Sequence, residues 1–246
     1  MRTVAVIPAR YASTRFPGKP LAMLRGKPII EHVYSRVRKC SMLEKVVVAT
    51  DDQRIYDAVL GFGGHAVMTS PDHPSGSDRM AEAAQGVDAD IFVNVQGDEP
   101  FIEPSLIEAV VTPMEQEMAP DIFTAAVPIG NREEFESRDV VKVVLNRQSE
   151  ALYFSRSPIP YGYDENRSAL RHLGIYAYKR ESLLSFVRLP RGTLEERENL
   201  EQLRALEHGM RIGVAVVDSF QGIGIDRPGD LAKAEELLRS LEDTGS

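Results

Sequence analysis

The stretch TVAVIPAR, residues Thr3–Arg10, runs through four consecutive apolar residues, meets a proline and ends on an arginine. Strict alternation of apolar and polar residues marks a strand with one wet face. An unbroken apolar run marks a strand covered on both faces, the habit of parallel sheets flanked by helices. Comparable runs recur at 45–50 (KVVVAT), 66–70 (AVMTS), 90–96 (DIFVNVQ), 122–129 (IFTAAVPI) and 140–146 (VVKVVLN). Helical periodicity fills 28–40, 52–60, 77–85 and 104–117, with Asp51-Asp52 and Pro104-Ser105 as helix starts. This alternation predicts an α/β fold, a mixed, mainly parallel sheet flanked by helices.

The rhythm changes near residue 128. ALYFSRSPIPYGY (151–163) reads as a Pro- and Tyr-rich loop, and RHLGIYAYKR (171–180) as an inserted strand that makes an antiparallel addition. Two helical segments follow, then a strand in RIGVAVV (211–217) and a last helix near 228–241. With no repeat or obvious linker, the 246 residues read as one α/β domain. Its parts are a first half of about 1–128, an elaboration of about 129–210 and a closing strand and helix of about 211–246.

A net charge of −8 speaks against nucleic-acid binding, which asks for a basic surface. The charge is uneven, however. Residues 1–39 hold nine Lys and Arg against the single acid Glu31, leaving 20 cations against 36 acids in the remainder. A basic pocket on an acidic body suits a small anion. Cys40 stands alone, so no internal disulfide forms. Only five residues separate Arg2 from Pro8, too few for a secretory core, and no apolar run approaches a membrane span. A cytoplasmic protein with no membrane insertion is expected.

Four segments carry candidate chemistry. Arg10, Arg15 and Lys19 follow the first strand, with Gly18 allowing close backbone approach. Ligands of open α/β sheets bind beyond the carboxyl ends of strands, and Arg forks with a Lys point charge match a chain of phosphates. The residues alone leave a solvated basic loop equally open. The P-loop pattern is absent, since Gly26-Lys27 is followed by a proline, and no G-x-G-x-x-G follows a strand. In NVQGDEP (94–100), Asp98 at a strand end is placed to hold Mg²⁺, or else belongs to an ordinary turn. Asp226, in another Gly-rich connection, could supply a second carboxylate. Ser75-Gly76-Ser77 offers hydroxyls and N–H groups at a helix start, an anion or base-edge site that is also compatible with Ser77 as the N-cap.

The fourth segment collects Arg156, His172, Tyr176, Glu198, Glu201 and Gln202. In RENLEQLRALEH (197–208), read as one helix, Leu200, Leu203 and Leu206 lie on or near one face while Glu198, Glu201, Gln202 and Ala205 fall on another. A charged outer face would explain the latter equally well, and a lone histidine is more often structural than catalytic. His32, His65, His73, His172 and His208 are scattered, and no G-x-S-x-G elbow occurs, so covalent catalysis is not indicated.

Taken together and in order, IPARYASTRFPGKPL (7–21), SGSDR (75–79), NVQGDEP (94–100), VVKVVLN (140–146), ALYFSRSPIP (151–160), HLGIYAY (172–178), LEQLRALEHG (200–209) and GIDRPGDL (224–231) resemble the 3-deoxy-manno-octulosonate (KDO) cytidylyltransferase family. The resemblance implies a nucleotide-diphosphosugar-transferase-like fold, a homodimer, Mg²⁺, and a reaction of CTP with KDO that gives CMP-KDO and pyrophosphate for lipopolysaccharide synthesis. It implies that Arg10, Arg15 and Lys19 bind the triphosphate and that Ala9, Ser75, Arg79 and Gln96 help hold the nucleotide. Asp98 and Asp226 would carry the metal. Gln96, Arg156, His172, Tyr176, Glu201 and Gln202 would line the sugar site, with Arg156 facing the KDO carboxylate. The sequence departs from the family after the second metal aspartate, where Arg227-Pro228-Gly229-Asp230 replaces a Thr-Pro-Glu-Asp-like run. That leaves Arg227 either near the phosphates or in solvent. Neighbouring readings are a cytidylyltransferase for another acidic sugar, such as sialic acid or an amino analogue of KDO, and a nucleotide sensor without turnover.

Overall fold

The computed structural model describes residues 1–13, 15–164 and 169–243, so Thr14 of the first motif lies outside the described residues. Along the chain run β1 (Thr3–Ala9), β2 (Met23–Leu24), β3 (Lys27–Pro28), α1 (Ile29–Val37), β4 (Lys45–Thr50), α2 (Gln53–Gly61), β5 (Ala66–Met68), α3 (Gly76–Gln85), β6 (Ile91–Asn94) and α4 (Pro104–Val111). There follow β7 (Ile122–Pro128), α5 (Arg132–Glu136), β8 (Lys142–Leu145), β9 (Ala151–Ser155), β10 (Leu170–Lys179), α6 (Arg180–Phe186), α7 (Thr193–Glu198), α8 (Gln202–Glu207), β11 (Ile212–Val216) and α9 (Asp230–Asp243). The chain forms two compact units. An N-terminal unit comprises Arg2–Asp88, Asn94–Ser105 and Gln221–Ser246, and a central unit comprises Met1, Ala89–Val93 and Leu106–Phe220.

In the N-terminal unit β1 pairs parallel with β4, and β4 with β5. Val4, Ala5, Val6 and Ile7 are buried, as are Val46–Ala49, which is what an unbroken apolar run predicts. Helix α1 packs Ile29, Ile30, Val33 and Val37 inward at helical spacing, and α2 contributes Ile55 and Val59. Asp52 caps α2, its carboxylate accepting the Arg54 N–H.

The central unit mixes directions. β7 pairs parallel with β11 and antiparallel with β10, and β8 pairs antiparallel with both β10 and β9. The sheet as a whole is mixed and mainly parallel with flanking helices, the predicted class.

Four local expectations are corrected. Residues 151–155 form strand β9 rather than loop, because ALYFS pairs with β8 and the prolines begin only at Pro158. The helix expected over 104–117 ends at Val111 and continues as a 3-10 turn, Thr112–Glu115, where Pro113 supplies no N–H for the α-helical ladder. The cap of α3 is Ser75, not Ser77: the Ser75 hydroxyl accepts the Asp78 N–H, while Ser77 is buried inside the first turn. RENLEQLRALEH is not one helix. Asn199 takes a left-handed conformation, φ 51° and ψ 51°, and separates α7 from α8. Glu207 then reaches from α8 to the start of α7 and accepts the Leu194 N–H at 3.0 Å. The Arg204 guanidinium grips Glu195 through two bonds of 2.6 and 2.7 Å, tying the two short helices together. The outer-face reading falls with the single helix, since Gln202, Leu203, Arg204 and Ala205 are all buried.

Candidate active site

The N-terminal unit holds a cleft of about 420 Å³ at the carboxyl end of β1, lined by Ala9, Arg10, Arg15, Lys19, Gln96 and Asp98 with Pro8, Ala12, Ser13, Pro20 and Gly97. Two glycines shape it. Gly18 sits at φ 71° and donates its N–H to the Tyr11 carbonyl at 2.8 Å, folding the loop back so that Lys19 re-enters the cleft. A Cβ at Gly97 would lie 2.9 Å from the Pro8 carbonyl oxygen, so only glycine lets these two loops approach so closely.

Lys19 is the hub. Its ammonium donates to Asp98 Oδ2 at 2.5 Å and to Asp226 Oδ1 at 3.4 Å, and Arg15 Nη2 reaches the same Asp226 oxygen at 3.2 Å. The Ile225 N–H donates to the Asp98 carbonyl at 2.9 Å, joining the two acidic loops through the backbone. Asp230, which sequence reasoning passed over, accepts the N–H groups of Asp226 (3.0 Å) and Arg227 (2.8 Å) on one carboxylate oxygen. The Arg227 amide, with that of Asp226 assisting and burial opposing, holds the Asp230 carboxyl below its ordinary range. An Asp four residues beyond the candidate ligand, at a helix start, was the available signal. Arg227 itself is exposed.

Arg10 lines the cleft with no hydrogen-bond or ion-pair partner among the described residues. Ser75 spends its hydroxyl on the α3 cap and on Asp78. Arg79 is fully buried, bonded to Asp51 at 2.9 Å, to the Thr69 hydroxyl at 2.5 Å and to the Ser70 carbonyl at 3.3 Å. Burial lowers its pKa, Asp51 opposes that, and the nearby positive charge of Arg10 lowers it further. The structure therefore gives Arg79 a clamping position that fixes the end of β4 to the loop before α3. Gln96 donates to Asn94 Oδ1 at 3.5 Å.

The remaining predicted residues belong to the central unit. Strand β10 carries an irregularity between Leu173 and Tyr176, so that Tyr176 rather than Gly174 faces Thr124. The Thr124 hydroxyl lies 2.7 Å from the Ile175 carbonyl and 3.2 Å from that of Leu173. Both are acceptors only, so its proton points at them and its lone pair takes the proton of His172 Nε2, 2.9 Å away. Burial pushes the His172 pKa down to about 3, and the ring stays neutral with Nδ1 as an acceptor. Phe154 presents an edge to that ring, and Tyr176 lies 5.4 Å from it, centroid to centroid. Burial, with Tyr178 and Glu201 nearby, raises the Tyr176 phenol well above its usual value.

Gln202 is 6% exposed, and its amide nitrogen has no partner among the described residues. A buried amide N–H₂ left unpaired costs about 1–3 kcal/mol and points to a missing acceptor. Glu201 lies 3.7 Å from Arg204. Arg156 is held by backbone, Nε to Glu198 O at 2.9 Å and Nη1 to Arg138 O at 3.2 Å. Two supports were missed. Thr124 shows no signal in sequence because its use depends on the β10 irregularity. Lys142, inside an apolar strand, is fully buried and donates to the carbonyls of Ser137 (2.8 Å), Val140 (2.6 Å) and Arg156 (2.7 Å). A lysine in a buried run was the cue for it.

Residues 4–212 match the cytidylyltransferase family. The chain is 47% identical to the 3-deoxy-manno-octulosonate cytidylyltransferase of Syntrophotalea carbinolica, across 98% of this chain and the whole of that protein. It is 48% identical to the one from Geobacter metallireducens, across 98% and 100% of the two chains. Among solved structures, a CMP:2-keto-3-deoxy-manno-octonic acid synthetase complexed with CTP superposes with a TM-score of 0.93 at 44% identity, covering 98% of this chain and 99% of that one. An inositol-1-phosphate CTP transferase from T. maritima shares the fold, with a TM-score of 0.68 at 16% identity. A near-complete match in length, order and fold leaves one placement: this chain belongs to the cytidylyltransferase family, among the 3-deoxy-manno-octulosonate cytidylyltransferases.

Proposed function

We propose that this enzyme transfers CMP from CTP to the anomeric hydroxyl of KDO, releasing pyrophosphate and activating the sugar acid for lipopolysaccharide synthesis. The observation that carries the reading is the cleft in which Arg10, Arg15 and Lys19 gather around Asp98 and Asp226, inside a chain of this family. The hydroxyl attacks the α-phosphorus as the bond to pyrophosphate breaks, which demands positioning and charge neutralisation rather than a covalent intermediate. Arg10, unpartnered at the cleft, is free to meet phosphate oxygens. Lys19 and Arg15 are occupied by carboxylates, and nucleotide phosphates compete for them.

The residues fit Mg²⁺. Two hard carboxylates converge on one point of positive charge, occupied here by the Lys19 ammonium, and Mg²⁺ takes one or two carboxylates with phosphates and water completing the shell. Among the described residues no group of three or more His, Cys, Asp or Glu could hold a metal by itself, in keeping with a site the nucleotide must complete. Asp98 and Asp226 would hold the ion, which when bound offsets phosphate charge and acidifies a coordinated hydroxyl. Asp230 keeps the Asp226 backbone in place.

For the sugar, the supporting observation is the unpaired, buried Gln202 amide, an N–H₂ donor awaiting a hydroxyl or carboxylate. His172, neutral and with Nδ1 accepting, suits a sugar hydroxyl, and Tyr176, Glu201 and Arg156 complete the polar set. Ala9, Ser75 and Gln96 are assigned to the nucleotide, with Gln96 shared with the sugar, while Arg79 supports the nucleotide loop from beneath. Incubation with CTP and, in turn, KDO, its amino analogue or sialic acid, following pyrophosphate, tests the reading. Release with KDO alone supports it. Release only with another acid, or CTP binding without release, overturns it in favour of the neighbouring enzyme or the sensor.

We infer also a homodimer. The exposed Leu152, Tyr161 and Val216 of the central unit are apolar surface of the kind a partner subunit covers, and sedimentation at micromolar concentration checks it. No described helix is long and apolar enough to cross a membrane, and a cytoplasmic location is the reading we adopt.

A further inference from the structure

The central unit contains a second cavity, of about 480 Å³, in which the proposed reaction uses Arg156 but neither Arg138 nor Arg197. Arg138, Arg156 and Arg197 line it together with Tyr153, Ser157 and Glu198. Three guanidinium groups thus face one carboxylate, in a chain whose net charge is −8.

The oxygens of that carboxylate are already taken by neutral donors. Glu198 Oε1 accepts the Ser155 hydroxyl at 2.6 Å and lies 3.5 Å from the Tyr153 hydroxyl, while Oε2 accepts the Arg156 N–H at 2.9 Å. Arg156 is fixed by backbone carbonyls of Glu198, Arg138 and Asn199, none of which carries a charge. The guanidinium groups of Arg138 and Arg197 have no hydrogen-bond or ion-pair partner among the described residues. Glu198 offsets one of the three positive charges, the excess charges around the hollow repel each other, and an anion between them relieves the repulsion. Planar guanidinium forks match tetrahedral phosphate oxygens in pairs, and the Ser157 hydroxyl lies on the same wall. The size lies toward the lower part of the roughly 300–1,000 Å³ of small-molecule pockets, enough for phosphate or pyrophosphate with water and far too small for a polyanion.

We propose that this cavity is a second anion site, binding a small phosphate-class anion such as pyrophosphate or inorganic phosphate, with Arg138 and Arg197 as the recognising residues and Arg156 as the fixed floor. It uses none of the residues assigned to the triphosphate cleft and shares only Arg156 with the sugar set, so it stands or falls independently of the cleft.

Pyrophosphate titrated calorimetrically into the full chain is the test, in the native protein, in Arg10→Ala/Lys19→Ala and in Arg138→Gln/Arg197→Gln. The expected result is two equivalents per chain in the native protein and one in each double variant. The affinity surviving in Arg10→Ala/Lys19→Ala should fall about tenfold or more once Arg197→Gln is added, the loss of a charge-assisted contact. It should also weaken with added salt. The Arg138→Gln and Arg197→Gln single variants replace surface side chains, and each should lower this affinity if the double variant does not fold. A native protein that binds one equivalent, lost wholly in Arg10→Ala/Lys19→Ala, overturns the proposal. So does unchanged binding in Arg138→Gln/Arg197→Gln. If the residual site prefers KDO to pyrophosphate, it is a sugar-acid subsite and the phosphate assignment is wrong.

Discussion

The N-terminal cleft and the polar cluster of the central unit are built on opposite terms. In the cleft, charge is abundant and accessible: Asp226 is 48% exposed at its side chain and Arg15 60%, and Lys19 mediates between two carboxylates. Around His172 the polar groups are sunk among aromatic rings and bonded to hydroxyls and carbonyls rather than to charges. The first arrangement suits a ligand that brings four negative charges and a cation. The second suits a sugar, whose hydroxyls are sorted by hydrogen-bond geometry. A charged cleft tolerates approximate placement because Coulomb attraction falls slowly with distance, whereas a hydrogen-bonded pocket punishes an unpaired group with its full desolvation cost.

The largest effect that would break this contrast lies at the carboxylates. Asp98→Asn and Asp226→Asn should each lower kcat by roughly 10²–10³, the range for losing a preorganised charge partner, with steady-state turnover across Mg²⁺ concentrations as the check. Near-normal turnover in both would remove the metal role. Next comes Arg79→Leu. It leaves Asp51 without its partner, and breaking a buried pair costs about 3–5 kcal/mol. Urea unfolding should show that loss even where CTP turnover, measured well below the midpoint, survives. If Arg79 instead touches nucleotide, KM for CTP moves while stability does not.

A smaller change sharpens the other side. Gln202→Leu keeps the volume but removes the unpaired amide, and should raise KM for KDO about tenfold while leaving KM for CTP unchanged. The smallest effect is a slope. The His172 pKa is near 6.5 in the unfolded chain and about 3 in the fold. The unfolded state therefore takes up the proton first as pH falls. The stability His172 contributes is complete above pH 6.5 and is lost downward toward pH 3, by up to about 1.4 kcal/mol per pH unit. Stability curves of the native protein and of His172→Gln should differ in slope inside that window and run parallel outside it.

The contrast also explains what could be read in advance. The cleft residues sit on contiguous loops directly after apolar strands, so TVAVIPAR and NVQGDEP disclose both the strand and the polar loop it carries. The parallel core was legible for the same reason, because burial on both faces leaves an unbroken apolar run. The central unit was not. Its polar cluster depends on the shift in β10 register that brings Thr124 to His172, and on Asn199 turning left-handed where LEQLRALEHG continues a helical pattern. Asparagine is one of the few residues that pays little for that conformation, yet nothing local demands it. Glu198 looked like one more outer-face acid. Only the fold shows its carboxylate gathering Ser155 and Arg156.

The division of labour between the cleft and the His172 cluster is tested most directly by one crossed measurement of apparent KM, for CTP and for KDO, in Arg10→Ala and in Gln202→Leu. Arg10→Ala should weaken CTP and spare KDO, and Gln202→Leu should do the reverse. If either variant raises both values together, or if the pattern is inverted, the assignment of nucleotide to the cleft and sugar to the His172 cluster is wrong.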